Sequence, residues 1–269
     1  MQYDAWQLLS ELTFDPASGE NILKIKSQLG FAKDEDTFER DLLRDAAHKA
    51  LALVDVQPVD ASVVALMKRE LQKMLTSEHP GIATSLGYRT AASIATLRRF
   101  TAGPMDWELG GVPRSWILRK LPKADGIRLL WFVTGKLGGV YPLLHTHVAP
   151  APRRRSLLIE KEVLRCYARM AKSLERQPHV LGIMGAAWFH DQAAVRDNPH
   201  LEPLNRPFVR YGGLIVNVGP APADAGFLEH NPARKAAFEA GELQYQIGMA
   251  VWPRKAALEW VRANPELLE

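Results

Sequence analysis

The chain of 269 residues carries a single cysteine, Cys166. One thiol excludes an intramolecular disulfide and a cysteine-rich metal site, and it suits a reducing compartment, so a cytoplasmic location is expected. Long hydrophobic runs are also missing. Leu129 to Val133 is among the longest, far below the roughly 20 apolar residues that span a bilayer, so no membrane segment is expected. The opening residues, MQYDAWQLLSELTF, lack the basic stretch and apolar run of a secretory leader. An excess of one charge is lacking too. Lys and Arg total 34 against 30 Asp and Glu, a formal charge of +4, too small over this length to point to nucleic acid. No internal repeat or low-complexity tract occurs, which excludes a solenoid. There is no GxSxG elbow, P-loop, HExxH helix or GxGxxG fingerprint, so several large enzyme classes lose their usual signature.

What is present is enough apolar material, 47% of residues, to build a sizeable core. In the first hundred residues the apolar positions recur at helical spacing. Phe38, Leu42, Leu43, Ala46, Ala50 and Leu53 predict a helix over Thr37–Leu53. A second is expected over Asp60–Leu75 with Asp60 as N-cap, and a third over Ser85–Phe100. Turn formers cluster at Gly103-Pro104 and at Gly110-Gly111-Val112-Pro113, and the pattern then changes. Strands are expected at Trp116–Leu121, Gly126–Thr134 and Gly139–Val148 as an antiparallel meander. An amphipathic helix follows over Ser156–Arg176. Further strands are expected at Val180–Phe189, Phe208–Val218 and Leu243–Trp252, with helices at Asn231–Ala240 and Lys255–Arg262. The fold class expected is α/β (α+β): a helical N-terminal region, residues 1–110, then residues 111–269 as a mixed, mostly antiparallel sheet of about six strands flanked by helices. This order is not the regular alternation of a doubly wound dinucleotide fold.

Five side chains are candidates for chemistry. His145 and His147 share one face of a strand, and two imidazoles so spaced either hold part of a metal site or act as bases. Gly139, five residues, then His145-x-His147 resembles the start of the cupin motif, but Ala151 and Pro152 stand where cupins place a glutamate. A metal would need a third ligand from Glu160 or His190. Glu160, beside the apolar face of its helix, is a candidate general base or a dipole-stabilising first-turn residue with Ser156 as N-cap. His190, in Trp188-Phe189-His190-Asp191, reaches the cleft of His145 if their strands are neighbours, while Asp191 caps the next segment. Tyr245 offers a phenol at the start of the last strand. Arg153, Arg154, Arg155 and Ser156 precede a helix N-terminus, where unpaired N–H groups and guanidinium ions suit an anion such as phosphate.

The strand, loop and helix around Val148-Ala149-Pro150 and Arg153 to Ser156 resemble the Gcn5-related N-acetyltransferase (GNAT) family. In that family a strand ends in a valine-x-proline signature and the next loop cradles the pyrophosphate of coenzyme A. The family's loop carries glycine; this one has none, so side-chain guanidinium groups would replace the close backbone approach. The resemblance implies a GNAT-like fold over about residues 114–252. It also implies an acyltransferase that moves an acyl group from acyl-CoA or an acyl-carrier protein to a small-molecule amine. Val148 and Arg153 to Ser156 would then hold the donor, with His145, His147, Glu160, His190 or Tyr245 moving protons. No tightly bound cofactor and no resident metal are expected. A metal-dependent enzyme built on His-x-His and a non-catalytic binding protein are the alternatives.

Overall fold

A computed structural model describes residues 6, 9, 35–76, 85–117, 123–149, 153–223, 228 and 231–269. The chain divides into two compact units, Met1–Glu108 with Val148–Arg155, and Leu109–His147 with Ser156–Glu269.

In the first unit the helical stripes read from the sequence become packed faces. Helix α1 (Glu35–Leu53) buries Leu42, Leu43, Ala46, Ala47 and Ala50, and helix α2 (Ala61–Leu75) buries Val63, Met67, Leu71 and Met74. Asp60 caps α2 as expected, its carboxylate accepting the Ser62 N–H at 2.9 Å. Helix α3 (Ser85–Ala95) is shorter than its periodicity predicts. Leu97 takes a left-handed φ of 54°, and the chain turns into strand β1 (Arg99–Thr101). This strand pairs antiparallel with β2 (Met105–Gly110), placing Phe100 opposite Trp107 with stacked rings 4.7 Å apart. Gly103-Pro104, read from the sequence as a change of texture, is the turn of this hairpin, closed by the Ala102 N–H on Met105 O. Both strands therefore precede residue 111, ahead of the expected first strand. Three residues of β1 are too few to register as alternation.

In the second unit the largest correction falls on Gly126–Thr134. That segment is not a strand but most of helix α4 (Lys123–Phe132), continued by a wider π turn over Val133–Leu137. Its buried residues Leu129, Val133 and Leu137 recur every four positions, a spacing the aromatic and branched content concealed. Gly138, at φ 84°, ends the helix, its N–H bonding Val133 O at 2.9 Å. Trp116 and Ile117 lie in a helical turn rather than a strand, and residues 118–121 of that expected strand lie outside the described residues.

Strand β3 (Leu143–Val148) starts later than expected. A 3-10 turn over Arg153–Leu158 and helix α5 (Glu160–Leu174) carry the chain to β4 (Gly182–Ala187), which runs parallel to β3. This crossover replaces the expected antiparallel meander. A short 3-10 turn (Trp188–His190) then leads to α6 (Gln192–Asp197) and α7 (Glu202–Arg210). Strand β5 (Leu214–Pro220), helix α8 (Pro232–Glu239), strand β6 (Gln246–Pro253) and helix α9 (Arg254–Ala263) complete the unit. Residues Phe208 to Arg210, read as strand, belong to α7. There Asn205 and Phe208 are buried on the inner face while Val209 is exposed. Within this unit the strand order is β3-β4-β6-β5, a mixed sheet with β6 antiparallel to both β4 and β5.

The alternation of side chains gives the sheet of this unit two distinct faces. Leu143, Met184, Met249, Val251, Leu214, Val216 and Val218 pack with Leu129, Val133 and Leu137 of α4 and its π turn. The opposite face carries an aromatic cluster in which Tyr167 and Phe208 lie 5.5 Å apart, Phe208 and Trp252 5.9 Å, and Trp252 and Trp260 5.2 Å. The Tyr167 hydroxyl donates to Leu204 O at 2.9 Å, and burial pushes its pKa well above the usual range. Among the described residues, no helix is long and apolar enough to cross a membrane.

Candidate functional site

The parallel pairing of β3 and β4 is short. It runs Leu144↔Ile183, His145↔Met184 and Thr146↔Gly185 and stops there, although β3 continues to Val148 and β4 to Ala187. The ladder between them ends at Thr146 and Gly185, short of the last residue of either strand. Burial changes at the same point: Leu143, Leu144, Ile183 and Gly185 are buried, whereas Thr146, His147, Ala186 and Ala187 are partly exposed. Beyond the last pair, no residue of β3 is in register with β4.

His190 lies at this point. A Cβ on Gly185 would come within 2.5 Å of Thr146 Oγ1 and 3.2 Å of His190 Nε2. The glycine thus leaves room for the imidazole on the Thr146 face of the sheet. The ring is 2% exposed and packs edge-on against Phe189 and Phe208. Its Nδ1 lies 2.8 Å from Asn205 Oδ1. The Asn205 amide donates through Nδ2 to Phe189 O at 2.7 Å and to Leu201 O at 3.3 Å. Those two bonds fix the amide with its oxygen toward the ring, so Nδ1 carries the proton and Nε2 keeps its lone pair. Burial lowers the His190 pKa from 6.5 to about 4, against the opposing effect of the Asn205 hydrogen bond. The imidazole is neutral at pH 7.

The other candidates are dispersed. His145 and His147 are neighbours, ring centroids 4.5 Å apart, but they occupy the face of β3 opposite to Thr146. His190 therefore does not share their cleft, although β3 and β4 are adjacent. Glu160 begins α5, 53% exposed at its side chain, and bonds Arg206 at 2.5 Å. Arg206 is held on its other side by Glu202 at 2.5 Å. These bonds raise the Arg206 pKa, and the Arg206 hydrogen bond leads in lowering that of Glu202. Glu160 thus anchors the start of α5 to α7, and neither it nor His190 joins the histidine pair as a third ligand. Tyr245 is buried with its ring stacked 5.9 Å from Trp188. Its hydroxyl donates to Asp197 Oδ2 at 3.3 Å and accepts from Asn198 Nδ2 at 3.3 Å. Asp191 caps α6 as expected, accepting from Ala193 N–H at 3.1 Å and, through its second oxygen, from Gln246 N–H at 2.8 Å.

Among the anion-site residues, Arg153 is committed within its own unit. Its guanidinium bonds Asp106 at 2.6 and 3.1 Å, Thr101 Oγ1 at 2.5 Å and Gly103 O at 3.1 Å, and Glu70 lies 3.4 Å away. The Asp106 side chain is 0% exposed and that of Arg153 18%, so this is a structural ion pair rather than an open loop charge. Arg154 and Arg155 are exposed and Val148 half-exposed. Ser156 is not the helix cap: Ile159 takes that position without a side-chain bond, because Arg153–Leu158 forms its own 3-10 turn. Pro150 of the valine-x-proline signature lies outside the described residues. Sequence reasoning missed Asn205 and Thr146. Asn205 lies between the expected strands Val180–Phe189 and Phe208–Val218, and only its proximity to His190 marks it.

No protein-family model matches the chain, and no curated protein matches it. A solved acyltransferase in complex with decanoyl-CoA is similar to it at 15% identity and a TM-score of 0.45, over 80% of this chain and 65% of that one. The chain thus spans less than two thirds of the length of that structure, and the likeness assigns no activity.

Proposed function

We propose that this protein transfers an acyl group from a phosphopantetheine-bearing thioester, acyl-CoA or an acyl-carrier protein, to a small-molecule amine. The observation that carries the reading is the early end of the parallel β3–β4 ladder, after three residue pairs and short of the end of either strand. The pantetheine arm is an extended chain with two amides, and peptide groups at the edge of a strand bond such a chain as they would an added strand. The order of elements supports the GNAT-like reading: one parallel crossover, β3-α5-β4, with the later strands adding as β6 then β5 beside β4. Ser156, in the turn that precedes α5, is a proposed donor contact within this unit.

Thermal unfolding with coenzyme A, acetyl-CoA and decanoyl-CoA tests the reading. A dissociation constant one hundredth of the ligand concentration stabilises by about 2.7 kcal/mol, which raises the Tm of a chain this size by roughly 5–10 °C. No shift with any of the three at millimolar concentration would remove the assignment.

A further inference from the structure

We propose that His190 is the catalytic base of this site, with Asn205 as its positioning residue. Nε2 would take the proton of the acceptor's attacking atom and hand it to the departing thiolate. The inference rests on the acyl-transfer reading and adds the proton path to it. Among the described residues no hydrogen bond of the chain reaches Nε2, while Nδ1 is saturated by Asn205. The imidazole is 2% exposed, and Nε2 is not among the buried side-chain atoms left without a partner, so what little exposure the ring has reaches that nitrogen and a ligand's N–H can bond it there. That nitrogen lies beside Gly185 and Thr146, the last pair of the β3–β4 ladder, where an extended thioester donor would end.

The chemistry balances without another reactant. The acceptor's nitrogen attacks the thioester carbonyl, its N–H proton moves to Nε2, the C–S bond breaks, and the Nε2–H proton neutralises the thiolate. The products are an amide and a free thiol. Nδ1–H stays bonded to Asn205 throughout, which keeps the lone pair on Nε2. Groups facing the ring are Phe189, Phe208, Asn205 and, across Gly185, Thr146, none of them ionisable; Gly248 lies against the His190 backbone and Cβ. The carboxylate of neighbouring Asp191 is taken up by the amides of Ala193 and Gln246. With no anion to hold an imidazolium, His190 suits a relay that passes the proton on rather than storing it.

The test uses the full chain with decanoyl-CoA and coenzyme A, read by imidazole nitrogen NMR and by thiol release. At pH 7 the His190 ring should be the Nδ1–H tautomer, and saturating decanoyl-CoA should move the Nε2 resonance. His190→Gln should bind coenzyme A within threefold of wild type and lose thiol release, to water or an added amine, by 100-fold or more. Asn205→Leu should keep the KM for decanoyl-CoA, lower kcat, and shift the ring toward the Nε2–H tautomer, which a merely structural asparagine would not do. An Nε2 resonance unmoved at saturation, or thiol release unchanged in a folded His190→Gln, overturns the role of His190 alone. Failure of wild type to bind either compound overturns the acyl-transfer reading and this inference with it.

Discussion

Acidification isolates His190, because its proton affinity differs so much between the folded and unfolded chain. In the unfolded chain the imidazole has its ordinary pKa of 6.5; folded, burial takes it to about 4. Above pH 6.5 both states are neutral there, and the stability is at its full value. Between 6.5 and 4 the unfolded chain gains a proton that the folded chain refuses, so stability falls with falling pH. Below 4 the folded ring also protonates and this loss stops. A difference of about 2.5 pH units at 1.36 kcal/mol each is about 3 kcal/mol. His190→Gln keeps an amide donor for Asn205 Oδ1 but cannot titrate. It should be less stable than wild type at pH 7.5 through imperfect packing, and the gap should close by most of those 3 kcal/mol as the pH is taken to 4.5. Urea denaturation of both proteins at pH 7.5, 6.5, 5.5 and 4.5 measures this, the carboxylates and other histidines cancelling in the difference. A gap that stays constant within about 0.5 kcal/mol across that range would refute the buried, neutral imidazole.

The remaining expectations concern neighbouring features. Arg153→Ala should cost roughly 3 kcal/mol of stability, because it strands the buried Asp106 carboxylate, whereas Arg155→Ala should stay within about 0.5 kcal/mol; equal melting temperatures for the two variants would dismiss the structural ion pair. Gly185→Ala should destabilise by about 1–3 kcal/mol through its collision with Thr146 and His190 and should weaken coenzyme A binding in calorimetry, while wild-type affinity would show that this edge is not the donor site. Asp191→Ala removes two backbone partners and should cost about 1–2 kcal/mol in chemical denaturation, with no loss meaning that the cap and the Gln246 bond contribute nothing. Thiol release should survive EDTA, and its loss on chelation with recovery on one divalent metal would favour a metal site at His145 and His147.

Much of the local structure was written in the sequence. The stripes of α1, α2 and α5, the Asp60 and Asp191 caps, the mixed α/β class and the strands β3, β4 and β6 follow from periodicity and end signals. Those signals depend on residues three or four positions apart, and any tertiary context consistent with a buried face preserves them. The tertiary structure decided the rest. Whether Gly126–Thr134 was helix or strand turned on which side chains found a core, and Leu129, Val133 and Leu137 found theirs against the sheet. That β4 runs parallel to β3, and that their ladder ends at Thr146 and Gly185, depends on the packing of α5 and on where β6 enters the sheet. The opposition of His145 and His190 follows from that register alone, since a slip of one residue would have put them on one face. Arg153 looked like an open loop charge because its partners, Asp106 and Glu70, lie 47 and 83 positions earlier in the chain. Asn205 gained meaning only when α7 set its amide against His190. Sequence pattern fixes what each segment buries, whereas long-range pairing alone determines which polar groups meet.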